Sequence, residues 1–80
     1  MTRVDICAAD DFETIDRLLA VIAEAGGVGD EGYSESSLGV GLTRFRFGTD
    51  EVTLFRDAWV VDFHGPDELA ARLFAALRER

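Results

Sequence analysis

The chain has 80 residues, with sixteen acids against eight cations, every cation an arginine, for a formal net charge of −8. That length makes one domain, 1–80, and a 48% hydrophobic content argues against global disorder. The acidic balance argues against binding nucleic acid, whose phosphates repel like charge at range.

Cys7 is the single cysteine, so an intramolecular disulfide is excluded. The first residues, MTRVDICAADDFE, lack the basic head and long apolar run of a secretion signal. No apolar run reaches the roughly 18 residues a membrane span needs. These observations point to a cytoplasmic protein with no membrane partner.

Thr2 to Ala8 alternates and reads as a short strand at a sheet edge or beside an outer strand. Val4 and Ile6 point one way, Asp5 and Cys7 the other. As a nucleophile Cys7 would need an activating base; as a small hydrophobe it needs nothing.

A helix start follows. Asp10 as N-cap with Glu13 three residues on forms a capping box. Phe12, Ile15, Leu18, Leu19 and Ile22 then recur at helical spacing, and Gly26-Gly27 ends the run.

Residues 26–41 hold six of the eight glycines and read as a flexible loop with room for a short strand, Tyr33 to Leu38. Gly27-Val28-Gly29-Asp30-Glu31-Gly32 matches the spacing of a dinucleotide-binding turn, but that turn needs a strand before it and a helix after it. Asp30 and Glu31 would also repel phosphate. These acids and Glu35 lack the spacing of a calcium loop.

Residues 42–64 read as a three-stranded antiparallel meander. A polar turn at Gly48–Glu51 would set Phe47 opposite Val52 and Phe45 opposite Leu54. A two-residue turn at Asp57-Ala58 would set Arg56 opposite Trp59 and Leu54 opposite Val61. Both registers place Phe45, Phe47, Val52, Leu54, Trp59, Val61 and Phe63 on one apolar face.

Pro66, at the first position of a second helix, and Asp67-Glu68 suit a helix N-terminus. Leu69, Leu73, Ala76 and Leu77 supply its stripe, with Arg78 in the last turn. The expected fold is α+β: a two-layer β-α-β-β-β-α arrangement with a mainly antiparallel sheet and both helices on one face.

The other face then carries Val40, Leu42, Arg44, Arg46, Thr53, Phe55, Val60, Asp62 and His64. The expected rows are Arg44–Phe55–Val60 and Arg46–Thr53–Asp62. Contiguous apolar area there marks an interaction site, against the plainer reading of scattered surface residues or a loop folded over them.

Asp62 and His64, two apart, could orient a general base, with Ser34, Ser36 or Ser37 as nucleophile. Neither a nucleophile elbow nor an oxyanion signature accompanies them, so no catalytic residue is assigned and the chain reads as non-enzymatic. One histidine and one cysteine are too few for a structural zinc site, and no cofactor is implied.

The functional expectation is a protein-interaction domain, homodimeric or bound to another protein. Its candidate contacts are Val40, Leu42, Arg44, Arg46, Phe55, Val60, Asp62 and His64, with the loop acids Asp30, Glu31 and Glu35 facing a basic partner. The alternative is a small-molecule site between the glycine-rich loop and the sheet, with Tyr33, Arg44 and Arg46 as polar handles.

Overall fold

A computed structural model describes residues 1–29 and 40–79. Its elements are β1 (Thr2–Ala8), α1 (Phe12–Glu24), β2 (Val28–Gly29), β3 (Gly41–Phe47), β4 (Asp50–Arg56), β5 (Val60–Gly65) and α2 (Asp67–Arg78). The strands form one antiparallel sheet in the order β1-β5-β4-β3-β2. The α+β expectation therefore holds, with the meander at the centre and the N-terminal strand beside β5. The two-residue β2 on the far edge adds a strand that the sequence did not mark. Tyr33 to Leu38 lies outside the described residues.

The core is one layer of side chains between sheet and helices. Phe45, Val52, Leu54, Val61 and Phe63 from the sheet meet Ile15, Leu18, Leu19 and Ile22 of α1 and Leu69 and Leu73 of α2. Phe63 packs edge-on to Phe74, with ring centroids 4.8 Å apart. Alternation of side chains along each strand puts this set on one face.

Both turns of the meander differ from the expected ones, each by two residues of register. β3 and β4 join through Gly48-Thr49, so Phe47 pairs with Asp50 and Phe45 with Val52. Gly48 takes φ 67°, the backbone that the first central residue of a type II′ hairpin requires. On the other side Arg56 pairs with Val61, leaving Asp57–Val60 as the connection. Neither Asp57 nor Ala58 adopts the positive φ that a two-residue loop demands. Instead the Asp57 carboxylate accepts from the Trp59 N–H at 2.7 Å and the Val60 N–H at 2.9 Å. This aspartate side chain organises the turn as a backbone carbonyl would. Shifts of two keep every strand side chain on its face, which is why the apolar set survives. Trp59 is the exception: it sits in the turn, 79% exposed, and not on the core face.

Helix starts also differ by one position. Asp11, not Asp10, caps α1, accepting from the Thr14 N–H at 3.2 Å and from the Thr14 hydroxyl at 2.7 Å. Threonine at that position donates with both groups, so Glu13 is not needed for the cap. Pro66 is itself the N-cap of α2. Thr2 on β1 donates its hydroxyl to Asp67 at 2.7 Å, tying the sheet edge to that helix start.

Phe12 is exposed and does not join the α1 stripe. Its ring lies 5.3 Å under the Arg56 guanidinium, which also donates twice to the Ala9 carbonyl, at 3.0 and 2.8 Å. Arg56 thus clamps the β1–α1 connection to the end of β4.

The β1 faces change at a bulge between Asp5 and Cys7. Val4 stands opposite Phe63 and Cys7 opposite Val61, so Cys7 lies on the core side rather than beside Asp5. Ile6 and Cys7 both pack against the core, as an extra residue in a bulged strand allows. Burial pushes the Cys7 thiol above its ordinary pKa, which disfavours the thiolate.

Candidate functional site: the open face of the sheet

With both helices on one face, the other is left uncovered by any described element. The observed registers sort its side chains into two rows across the strands. Leu42, Phe55, Asp62 and Asp5 make one row. Arg44, Thr53, His64 and Arg3 make the next. These replace the expected rows, because each hairpin register is displaced by two residues.

The first row runs from apolar to acidic. Leu42 and Phe55 are 55% and 41% exposed, large for strand residues on an uncovered face. Asp62 and Asp5 stand directly opposite each other, an arrangement that costs stability between like charges. The nearby Asp62 carboxylate, sharing a proton with Asp5 and repelling its charge, raises the Asp5 pKa above the ordinary carboxylate value.

The second row is basic at both ends. Arg3 reaches diagonally to Asp62 at 3.8 Å, and Arg44 reaches Glu51 at 3.8 Å. Both pairs lie near the limit of direct contact and are mostly exposed on the arginine side, so each is weak. Val28, Arg46 and Glu51 make a third, shorter row, with Val28 exposed.

Between the two long rows the face dips into a concavity of about 300 Å³, lined by Leu42, Phe55 and Asp62 from one row and Thr53, His64 and Arg3 from the other. Thr53 is the smallest of the six. An apolar wall on β3 and β4 therefore faces a polar wall on β5 and β1.

Of the candidate contacts, Leu42, Arg44, Arg46, Phe55, Asp62 and His64 share this face. Val60 pairs with Ala8 at its end, half-buried, and Val40 precedes β3, exposed. Asp30, Glu31 and Glu35 lie outside the described residues, as do Tyr33, Ser34, Ser36 and Ser37. The sequence reading missed Arg3 and Asp5. Their signal was present, since alternation in a strand beside β5 places residues 3 and 5 with residues 62 and 64.

Among the described residues no cluster of three or more His, Cys, Asp or Glu could hold a metal ion, and no helix is long and apolar enough to cross a membrane. No family model, curated protein or solved structure matches the chain.

Proposed function

We propose that this chain is a non-enzymatic interaction domain that self-associates through the open face of its sheet. One observation carries the reading. The face combines three exposed apolar residues, Val28, Leu42 and Phe55, with strand charges that cancel: Arg3, Arg44 and Arg46 against Asp5, Glu51 and Asp62. On a chain of net charge −8 most surfaces repel a second copy, and this one does not.

Sedimentation velocity and native mass spectrometry test this. The wild type is expected as a dimer, and Phe55→Glu as a folded monomer, because the change sets a charge on an exposed position of the open face that the interface would have to desolvate. A wild type that stays monomeric at every concentration would overturn the reading.

The concavity supports a second reading, a small ligand with its apolar body against Leu42 and Phe55 and its polar end at Asp62 and His64. Its volume sits at the lower end of ligand sites. A thermal-shift screen that raises the melting temperature in wild type but not in His64→Ala would favour it. The acids Asp30, Glu31 and Glu35 suit a basic protein partner, a form of the interaction reading that masks cationic surface. Charge reversal at all three, with unchanged partner affinity, would remove that form.

A further inference from the structure

Resting on self-association through the open face, we infer the symmetry of the dimer: a two-fold axis that runs across the strands, between the Leu42–Phe55–Asp62–Asp5 row and the Arg44–Thr53–His64–Arg3 row. An axis so placed turns each strand onto its own copy and exchanges the two rows. Asp5 then faces the partner's Arg3. Asp62 faces the partner's His64, and Phe55 faces the partner's Thr53.

Charge favours this arrangement. Asp5 meets an arginine and Asp62 an imidazole, each pair occurring twice by symmetry, while Leu42 meets the partner's Arg44, whose guanidinium reaches Glu51 in its own chain. The alternative two-fold, along the strands between β4 and β5, keeps each row in register with itself. It would set Arg3 against the partner's Arg44 and Asp5 against the partner's Leu42, a like-charge contact and an unpaired acid.

Shape favours it as well. The concavity straddles the line between the rows, drawing three residues from each, so the axis passes through it. Thr53, the smallest residue there, leaves the low point that the partner's Phe55 ring would fill. Sheets packed face to face interlock in this way, with inner side chains from the two layers interdigitating.

The acid pair gains a reason under the same symmetry. Within one copy Asp5 and Asp62 face each other, and among the described residues Arg3 makes a long 3.8 Å contact to Asp62. A second copy brings an arginine to Asp5 and an imidazole to Asp62, answering two like charges that one copy leaves opposed. The raised Asp5 pKa is the mark of that opposition in the single chain.

Charge exchange tests the axis. Arg3→Asp and Asp5→Arg are each expected to weaken the dimer at least about tenfold by sedimentation equilibrium, since each sets like charge on like. The double variant Arg3→Asp/Asp5→Arg is expected to recover wild-type affinity to within a few-fold. Mixing the two single variants is expected to yield a heterodimer by native mass spectrometry, because every acid then meets a base. That mixture also shows that both singles are folded. A double variant no tighter than the singles, or an Arg3→Asp variant tighter than wild type, would overturn this axis and leave self-association standing. A monomeric wild type would overturn both.

Discussion

The two faces of this sheet are built from the same strands and differ in almost everything else. On the helix side Phe45, Val52, Leu54, Val61 and Phe63 are buried nearly completely. On the other side their sequence neighbours, Phe55, Asp62 and His64 among them, carry charge, polarity and exposed apolar area together. The helix side has its partner within the chain, so its residues are answerable to packing alone. The open side has none among the described residues, and it carries opposed carboxylates and a partly exposed phenylalanine.

Replacing matched phenylalanines on the two faces breaks the comparison most sharply. Phe63→Ala removes a fully buried ring in contact with Phe74 and is expected to cost about 3–5 kcal/mol in denaturant unfolding. Phe55→Ala, measured as monomer, is expected to cost less than about 1 kcal/mol, because the ring is already 41% exposed. In the dimer it is expected to lower affinity, as loss of a central aromatic anchor does. Equal destabilisation of the monomer by both variants would mean that Phe55 belongs to the fold and not to an interface.

The same division explains what could be read from the chain. Alternation and helical spacing identified the buried set, because a residue either faces the helices or does not, and an even register slip leaves that answer unchanged. The open face depends on which residues stand side by side, and an even slip changes that completely. Thr53 was expected opposite Asp62 and stands opposite His64. The cause lies in the turns. Gly48 selects a two-residue hairpin through its positive φ, and Asp57 selects a longer connection through two side-chain hydrogen bonds. Both residues were visible as turn formers, but the choice of loop length rests on φ values and bonds that composition does not display. Arg3 and Asp5 were missed for a related reason, since their membership of the face follows only once β1 is known to lie beside β5.

A smaller effect is expected at the sheet edge, where the helix side has no spare room. A Cβ on Gly27 would lie 2.6 Å from both Ile22 Cγ2 and the Phe47 ring, and 2.9 Å from the Ile22 carbonyl oxygen. Gly27 thus sets how closely the end of α1 approaches β3. Gly27→Ala is expected to cost about 1–3 kcal/mol in equilibrium unfolding, since overpacking must move backbone as well as side chains. The proposed dimer should keep its affinity, as Gly27 packs against Ile22 and Phe47 on the helix side of the sheet. A drop in affinity without loss of stability would show that the two faces are coupled through β2 and β3.

The smallest expected effect is in pH, where the carboxylates of turn and cap and the carboxylate of the open face carry opposite signs. Val60 and Trp59 N–H groups bind the charged Asp57 carboxylate and lower its pKa, and Thr14 does the same for Asp11. A pKa lowered by folding contributes stability above the unfolded carboxylate value, and that stability is lost as pH falls through the folded value. Asp5, raised by Asp62, works in reverse. Its contribution is complete below the unfolded value and is lost as pH rises through the folded one. Unfolding of Asp5→Asn, followed from acid to neutral pH at protein concentrations low enough to keep it monomeric, is expected to gain on wild type as pH rises. Asp57→Asn is expected to lose on wild type over the same rise. At concentrations that favour the proposed dimer the Asp5→Asn advantage should shrink or reverse, because there the partner's Arg3 would reward the charged carboxylate that the single chain penalises. An advantage independent of concentration would place the Asp5–Asp62 opposition outside the interface.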